Sequence, residues 1–428
     1  MKQSYERRWG RRGLLKRAAA ATGGIVAAPH VITSAALGAE GRPAASDRIA
    51  MGAIGVGGRG GYVMGAHMWN PDVQMLAICD VQGSRRKAAQ AKVNAKYGNR
   101  DCKAYIDLRD LLARDDIDAV VIATGDNWHS TAGILAARAG KDAYCEKPCS
   151  VTIAESRALS DAVRRNAAVF QIGTQRRSVG HFRFALSLLW EGKLGKLKTL
   201  HAEKYSRRWI EVYDHSLSPQ PEPDREVIDW DLWLGPAPWR PYNAQYHQRS
   251  FWGGHTDFAG GAITEWGSHT VDMCQLAGGY DHTSAVEYEP LPGRDIRAVY
   301  ADGVELRLYA PIGRGSCATR FEGTDGWVEV DDSGTVVTDP PSLRGLHKFA
   351  RGYPADDHVR NFLDCVKTRA RPRSHVEAVH RSISTCHAAN IAIRLGRKVR
   401  WDPAKEEFIG DEDANRLRAR TIREPWTL

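Results

Sequence analysis

A glycine-rich segment has the residue types and the spacing of a phosphate-binding turn. Gly55-Val56-Gly57-Gly58-Arg59-Gly60 has the form G-x-G-x-x-G, follows a predicted strand and opens a predicted helix. Such glycines let the backbone turn tightly and approach a pyrophosphate, which binds exposed N–H groups at the positive end of the helix. Asp80 ends the next predicted strand, where its carboxylate can accept hydrogen bonds from ribose hydroxyls. The pattern predicts a dinucleotide site for NAD rather than NADP, because a carboxylate repels a 2′-phosphate, although Arg85 and Arg86 weaken that preference.

Two further polar motifs follow predicted strands. Thr124-Gly125-Asp126-Asn127-Trp128-His129 comes after one apolar run, and Glu146-Lys147-Pro148 comes after the next. Open parallel sheets bind ligands at the carboxyl ends of their strands, so both motifs should face one crevice. Alone, Glu-Lys-Pro is typical of a surface turn, but its position in a cofactor domain favours a functional lysine. The cofactor contacts predicted from these motifs are Thr124, Asn127, His129, Glu146 and Lys147.

The second half of the chain contains a candidate proton relay. The segment from Gly260 to Asp272 is a glycine turn followed by a predicted helix, with Glu265, His269 and Asp272 on one face at i, i+4 and i+7. A carboxylate and an imidazole one turn apart can move protons to and from a substrate. The spacing alone leaves a second interpretation open, in which the acid caps the helix and the histidine is a hydrogen-bonded core residue.

The elements that must position these residues change character along the chain. Before residue 168, short apolar runs alternate with helical segments, which predicts a right-handed, doubly wound parallel sheet covered on both faces. The predicted strands are Ile49–Gly55, Val73–Asp80, Asp118–Thr124 and Ala143–Glu146, and the predicted helices are Gly61–Trp69, Ser84–Lys96 and His129–Ala139.

Longer strand segments follow residue 168, and they predict a large, mostly antiparallel sheet. These segments are Leu197–Tyr205, Thr283–Glu289, Arg297–Tyr300 with Val304–Tyr309, and Ala318–Phe321 with Trp327–Val330. Hairpin turn signals, Asp302-Gly303 and Asp325-Gly326, join the last two pairs. The segment Asp357–Leu395 has a helical pattern and is expected to pack back against either domain.

Three of these motifs, in the same order and spacing, resemble the Gfo/Idh/MocA family, which is named after glucose-fructose oxidoreductase, inositol dehydrogenase and a rhizopine catabolism protein. They are the G-x-G-x-x-G turn, Glu146-Lys147-Pro148 and a Gly-Gly-x-x-x-acid-x-x-x-His pattern that ends at His269. The similarity runs from about Arg48 to Trp426. Stretches similar to the family's exported bacterial branch are Gly173-Thr174-Gln175-Arg176-Arg177, Asp231-Leu232-Trp233-Leu234-Gly235-Pro236 and Trp401-Asp402-Pro403.

The resemblance implies a two-domain α/β protein and assigns roles to particular residues. It implies a Rossmann domain at 48–170, an α/β substrate and oligomerisation domain with an open sheet at 171–356, and a C-terminal helical segment at 357–428 that packs back on the domains. Lys147 matches the family's lysine that contacts cofactor and substrate hydroxyl, and His269 matches its catalytic histidine. The family's frequent aspartate four residues earlier is Glu265 here, which moves the carboxylate by roughly an ångström. The candidate substrate contacts are Gln175, Arg176, Tyr205, Trp266 and Asp272, and structural roles are favoured for the first three.

Three functions remain open at this point. In the first, the family's commonest, NAD accepts a hydride from a secondary carbinol of a sugar, glycoside or cyclitol while His269 or Lys147 takes the hydroxyl proton. In the second, oxidation acidifies a neighbouring C–H, the glycosidic substituent is eliminated, water adds and the same hydride returns, so the net reaction is hydrolysis. The third is a sugar-binding protein that the cofactor only stabilises, and the presence of both side chains argues against it. Six tryptophans could stack on sugar rings, although so many aromatics more often pack in a core or an interface: Trp209, Trp230, Trp233, Trp239, Trp252 and Trp266.

The first 39 residues have the pattern of an export signal. Seven basic residues and one acidic residue accompany a weakly apolar stretch from Ala18 to Ala39. Arg11-Arg12-Gly13-Leu14-Leu15-Lys16 resembles a twin-arginine motif, and a basic amphipathic helix is the alternative. We therefore expect export by the twin-arginine machinery to the periplasm. Free NAD is scarce there, so an exported enzyme should retain and regenerate its cofactor, which favours redox-neutral turnover.

Composition narrows the range of partners. The 428 residues carry a net charge of +9, most of it in the first 39 residues, and no basic stripe with interleaved aromatics predicts nucleic-acid binding. The longest apolar run is too short and too broken to span a bilayer, so we expect no stable membrane insertion of the mature chain. The eight scattered cysteines form no C-x-x-C pair and no zinc spacing, which predicts neither a disulfide framework nor a metal site. The expected partners are a small carbohydrate and, from the family resemblance, further copies of the chain in a homo-oligomer.

Overall fold

The computed structural model describes residue 38 and residues 43–204, 214–310, 312, 315–349 and 356–428. It divides into two units, residues 1–48 and 49–428. In the described part of the first unit, Ala45–Asp47 form one turn of 3-10 helix, and the Arg48 guanidinium donates to the Pro43 carbonyl at 2.8 Å. The twin-arginine motif, the substrate candidate Tyr205 and the stacking candidate Trp209 lie outside the described residues.

A doubly wound parallel sheet opens the second unit. Its strands are β1 (Ile49–Ile54), β2 (Val73–Cys79), β3 (Lys103–Tyr105), β4 (Ala119–Ile122), β5 (Asp142–Cys145) and β6 (Phe170–Ile172). The helices that alternate with them are α1 (Gly58–Met68), α2 (Gly83–Tyr97), α3 (Leu108–Leu112), α4 (Asp126–Arg138) and α5 (Ile153–Arg165). Among the described residues the strand order is β3-β2-β1-β4-β5-β6. Every residue of β4 and β5 is buried, because helices cover both faces of the sheet.

A larger sheet follows. Its strands are β7 (Leu197–Glu203), β8 (Glu287–Leu291), β9 (Asp295–Val299), β10 (Glu305–Tyr309), β11 (Thr319–Gly323), β12 (Trp327–Val330), β13 (Val336–Asp339), β14 (Val399–Asp402) and β15 (Glu407–Phe408). The order among described strands is β13-β12-β11-β7-β10-β9-β8-β14-β15, antiparallel apart from the β7 and β10 pair. Buried residues alternate along β9 and β10, as expected where one face meets the core and the other faces outwards.

Helices of the second half connect the two sheets. They are α6 (Gly180–Trp190), α7 (Trp230–Leu234), α8 (Arg249–Trp252), α9 (Gly261–Gly278), α10 (Asp356–Thr368), α11 (Val376–Leu395) and α12 (Glu412–Arg416). Helices α9 and α11 pack closely, since a Cβ added to Gly267 would lie 2.8 Å from Cys386 Sγ. Helix α10 instead contributes Val359 and Phe362 to the core around Met51 of β1. The C-terminal segment therefore packs against both domains.

The predicted fold class is confirmed, with local differences in the second half. β8 begins at Glu287 rather than at Thr283, and the predicted helical segment is two helices, α10 and α11. Pro372 lies between them, and proline lacks the N–H that a continuous helix needs. β6 continues the first sheet to Ile172, past the expected boundary at residue 170. The segment 357–428, expected to be helical, also adds β14 and β15 to the large sheet.

Cysteines and acidic side chains are dispersed through the described residues. All eight cysteines lie in the described part of the chain, and each is buried with a free thiol. Across the described ranges, no three His, Cys, Asp or Glu side chains are placed to hold a metal ion. None of the described helices combines the length and the apolar character that crossing a bilayer requires. Because all eight thiols are free and buried, the cysteines pack as small apolar residues.

A buried imidazole lies in the core beneath the first sheet. His67 Nδ1 donates to the Val63 carbonyl at 2.9 Å, and its ring is edge-on to Tyr144 with centroids 5.0 Å apart. Burial lowers the pKa of His67 from 6.5 to about 4. The folded protein therefore keeps this group neutral under conditions in which the unfolded chain protonates it.

Acidification should destabilise the protein through His67. Between pH 6.5 and about 4 the unfolded state binds more protons, so stability falls as the pH drops through this window. From about pH 7 to about pH 5, the free energy of unfolding should lose about 2 kcal/mol through this group. Urea unfolding at both pH values should show that His67→Leu removes that part of the loss. The surface variant His347→Leu should keep the wild-type difference, and an unaltered difference in His67→Leu would contradict the prediction.

Candidate active site

The glycine turn between β1 and α1 packs its backbone directly on neighbouring backbone. Gly55 has a φ of +77°, and a Cβ there would lie 2.7 Å from the Thr124 amide nitrogen. A Cβ on Gly60 would lie 1.9 Å from the Gly55 carbonyl oxygen, whereas one on Gly58 would meet nothing within 4 Å. The first turn of α1 therefore contacts the end of β1 at Gly60, whereas the space around Gly58 is open. This shape fits a pyrophosphate at the helix N-terminus.

Asp80 joins the glycine turn to the end of β2. Its carboxylate accepts hydrogen bonds from the Val56 and Gln82 amides, both at 2.8 Å, and the Arg86 guanidinium donates to its backbone carbonyl at 2.8 Å. Burial raises the pKa of Asp80, and the two amide donors act in the opposite direction. Each carboxylate oxygen keeps a second lone pair for a ribose hydroxyl. The carboxylate thus lies at the end of β2 beside the glycine turn, where the sequence predicts a ribose contact, and that contact stays a prediction.

A cavity of about 300 Å³ lies over this turn. The predicted cofactor residues that line it are Gly55, Gly57, Gly58, Arg59, Gly60, Asp80, Thr124 and Asn127. Side chains not predicted to bind cofactor also line it, among them Arg85, Leu232, Trp233, His247 and Trp252. Trp233 and Trp252, considered above for sugar stacking, therefore face the dinucleotide cavity. Nothing in their spacing could have shown this, because their segment reaches the cavity only through tertiary packing.

His129 does not line the cavity. Its buried Nδ1 donates to the Pro148 carbonyl at 2.6 Å, and burial lowers its pKa. The imidazole therefore anchors the backbone beside Lys147, which is a positioning role rather than the cofactor contact predicted from its motif.

Lys147, at the end of β5, meets helix α9 of the second domain. Its Nζ lies 2.7 Å from Glu265 Oε1 and donates to the Glu265 carbonyl at 3.2 Å. The ammonium also lies 6.0 Å from the centroid of the Trp266 ring. Only 11% of the lysine side chain is exposed, so the ion pair is largely shielded from water. The structure thus brings the predicted lysine and the predicted carboxylate together across the two domains.

His269 lies one turn further along α9, on the same face as Glu265. Its ring centroid is 6.3 Å from that of Trp266, and its buried Nδ1 has no hydrogen-bond partner among the described residues. Burial, and then the positive charges of Arg176, Lys147 and Arg59, lower the pKa of His269 well below 6.5. The imidazole is therefore neutral near pH 7 and can accept a proton.

Glu146 is the centre of a buried polar network beside Lys147. Its Oε1 accepts from Arg59 at 2.8 Å and from Gln175 at 3.0 Å. Gln175 also donates to the Tyr144 hydroxyl at 2.9 Å. The network ties the glycine turn to the end of β5. The side-chain amide of Gln175, predicted to contact substrate, donates its hydrogen bonds to protein groups instead.

The remaining substrate candidates also bind protein groups. Arg176 forms a two-pronged pair with Asp332, at 3.0 and 2.5 Å. Both carboxylate oxygens of Asp272 accept from Arg177 at 2.7 Å in the core. Asp272 therefore shares the helix face predicted for it but does not join Lys147 and His269. Arg177 and Asp332 were not predicted, because charge pairs between distant segments leave no local spacing signal.

A parallel sheet with a glycine cradle at its strand ends, and a lysine at a neighbouring strand end that meets a histidine-bearing helix of a second domain, are the features of a two-domain nicotinamide-dinucleotide oxidoreductase. Two family models match the chain: "Oxidoreductase family, NAD-binding Rossmann fold" over residues 49–174 and "Oxidoreductase family, C-terminal alpha/beta domain" over residues 192–428. The chain belongs to the Gfo/Idh/MocA oxidoreductase family. NAD is the cofactor of its first domain, as the sequence predicted.

Two relatives of this chain have different names. An inositol 2-dehydrogenase of Salmonella typhimurium is 28% identical over 142 residues, which are 33% of this chain and 41% of that protein. A glycosyl hydrolase family 109 protein of Shewanella baltica is 30% identical over 227 residues, which are 48% of each chain. Both alignments span less than half of the relative. The crystal structure of an oxidoreductase domain protein from Kribbella flavida shares the fold, with a TM-score of 0.60, 18% identity and coverage of 85% of this chain and 100% of that chain.

The glycine turn gives a direct test of the cofactor site. Gly60→Ala should raise the Kd for NAD by about tenfold or more, because its Cβ forces the turn and its N–H groups apart. Gly61→Ala is the matched control, since its Cβ would meet only the Val56 carbonyl at 3.7 Å, and its Kd should stay within about twofold. Titration of nucleotide-free protein with NAD measures both, with circular dichroism to confirm folding. Equal affinities in the two variants would show that NAD does not bind this turn.

Proposed function

We propose that this chain is an exported, NAD-retaining enzyme, assembled as a homo-oligomer, that acts on a secondary carbinol of a sugar, glycoside or cyclitol. In this proposal the hydride taken from the carbinol is returned within one catalytic cycle, either to the carbonyl of a second sugar or to the ketone left after oxidation-assisted bond cleavage, so the net reaction is redox-neutral.

The meeting of Lys147, Glu265 and His269 carries the proposal. The Lys147 ammonium, held by Glu265 at 2.7 Å, can donate a hydrogen bond to a substrate hydroxyl oxygen. The neutral imidazole of His269 can accept the hydroxyl proton as the C–H bond breaks. NAD, when bound, supplies the hydride acceptor. The longer side chain of Glu265 reaches the lysine directly, so it serves in place of the family's frequent aspartate.

The substrate class rests on the two relatives. One is an inositol 2-dehydrogenase and the other a glycosyl hydrolase family 109 protein, so the proposed substrates are polyhydroxylated rings. The longer of the two alignments is with the glycosyl hydrolase, which favours a second candidate function. This is glycoside hydrolysis by oxidation, elimination, hydration and reduction, which uses the same lysine and histidine.

The arginine pair at residues 11 and 12 supports export and, through it, the redox-neutral cycle. A protein that folds and loads NAD before transport meets little free NAD afterwards. Turnover then requires that each hydride taken from the substrate be returned at the same site.

Removal of either proposed acid–base group should abolish most activity. Lys147→Ala and His269→Ala should each lower kcat/KM by about 100-fold or more, as expected for positioned proton-transfer groups. The substrate panel is myo-inositol, aldoses and nitrophenyl glycosides, assayed with no cofactor added. Because burial lowers the pKa of His269, the acid limb of kcat/KM should lie well below the pH at which an ordinary histidine titrates.

Lys198→Ala, at an exposed lysine of β7, is the matched control and should leave kcat/KM unchanged. Losses below about threefold in both Lys147→Ala and His269→Ala would place the site elsewhere. NADH accumulation with a stoichiometric need for added NAD would overturn the redox-neutral cycle in favour of a simple dehydrogenase.

Export has its own test. Replacement of Arg11 and Arg12 by lysine should keep the full-length protein in the cytoplasm, whereas the wild-type protein should reach the periplasm with bound NAD. Cell fractionation followed by nucleotide analysis of the denatured protein measures both. Equal distribution of the two proteins would contradict twin-arginine export.

A further inference from the structure

One wall of the dinucleotide cavity is not part of the Rossmann domain. Residues 224–258, here called the adenosine wall, contribute Leu232, Trp233, His247 and Trp252 to the lining. The same cavity is lined by Asp80 and by the side chains Ile106 and Leu108 beyond β3. Since the acid at the end of β2 binds the adenosine ribose in this fold, the wall faces the adenosine half of the dinucleotide.

The adenosine wall is fastened to the Rossmann domain by backbone hydrogen bonds next to Asp80. The Asp229 amide donates to the Val81 carbonyl at 3.1 Å, and the Gly83 amide donates to the Val227 carbonyl at 3.0 Å. A Cβ on Gly83 would lie 2.1 Å from the Glu226 carbonyl oxygen, so the two backbones are in direct contact. The wall therefore begins beside the ribose-binding acid.

Helix α4 and the C-terminal residues fasten its middle. Trp128 Nε1 donates to the Leu232 carbonyl at 2.9 Å, and Asn127 Nδ2 donates to the Leu234 carbonyl at 3.0 Å. Arg423 donates to the Gly235 carbonyl at 2.8 Å and to Asp231 at 2.5 Å. These bonds leave the wall little freedom to swing away from the cavity.

The wall also has an apolar core of its own. Trp230 stacks on Trp233 with ring centroids 4.8 Å apart, and Phe258 meets Trp233 edge-on at 5.1 Å. His247 packs among these rings, and its Nε2 is buried with no hydrogen-bond partner among the described residues. Burial lowers the pKa of His247, so the ring is neutral near pH 7. His247 is a lining residue of the cavity, and a buried nitrogen without a partner is costly unless a ligand satisfies it.

We propose that the adenosine wall retains NAD: Trp233 and Trp252 cover the adenosine half, and His247 Nε2 hydrogen-bonds to it. A dinucleotide held in this way must break apolar contacts and a buried hydrogen bond before it leaves, which slows dissociation. This inference deepens the proposed function, because retention is what a closed hydride cycle requires.

The test separates the two halves of the cofactor. Full-length protein is loaded with NADH, excess NAD is added, and the loss of bound NADH fluorescence gives the dissociation rate. His247→Phe keeps the aromatic packing and removes the nitrogen, so dissociation should be about fivefold faster. Trp252→Ala removes half-buried cover and should accelerate it by about tenfold or more. Affinity for reduced nicotinamide mononucleotide, which lacks the adenosine half, should stay within about twofold in both variants.

Trp239→Ala is the matched control, because this tryptophan of the same segment is 65% exposed and does not line the cavity. It should release NADH at the wild-type rate. Wild-type release from both His247→Phe and Trp252→Ala, or an equal loss of mononucleotide affinity, would overturn the inference. If the wild-type protein released NADH rapidly and the variants released it faster still, the contacts between the wall and the adenosine half would be supported. The same result would contradict the proposed function, because that function requires a retained cofactor.

Discussion

The arrangement of the site depends on one geometric constraint: parallel strands end at the same edge of their sheet. β1, β2, β4 and β5 therefore deliver the glycine turn, Asp80, Thr124 and Lys147 to one line, although these residues are spread over more than ninety positions of the chain. The close contact of Gly60 with the Gly55 carbonyl keeps α1 against that line. A helix held farther out would leave its N–H groups beyond reach of a pyrophosphate bound at the strand ends.

The second domain completes the site from the opposite side. Helix α9 presents Glu265 to Lys147, and the buried packing of α9 on α11 at Gly267 and Cys386 sets how far that helix can reach. The attraction within an ion pair of low exposure is strong, because few water molecules screen the two charges. The pair also orients the ammonium, whereas the neighbouring Glu146 network ties the same strand end to the glycine turn.

Burial gives the two histidines of the site their chemistry. His269 and His247 are both kept neutral by desolvation, each with one ring nitrogen that no described residue satisfies. His269 lies on α9, one helical turn from the Glu265–Lys147 pair, and His247 is a lining residue of the cofactor cavity. Unsatisfied buried polar atoms are unfavourable, so a ligand that pairs with them binds more tightly.

The sequence by itself determined the Rossmann half, the cofactor and the lysine and histidine candidates, because each depends on short-range spacing that repeats wherever a strand, a glycine turn and a helix follow one another. The open sheet was also predictable from alternating strands and the turns at Asp302-Gly303 and Asp325-Gly326, although short strands such as β3, β6, β14 and β15 carried too little pattern. Tertiary structure alone decided that Asp272 pairs with Arg177, that His129 holds Pro148, and that Trp233, His247 and Trp252 reach the dinucleotide cavity. These contacts join segments far apart in the chain, and the burial that sets their energies exists only after the domains have packed.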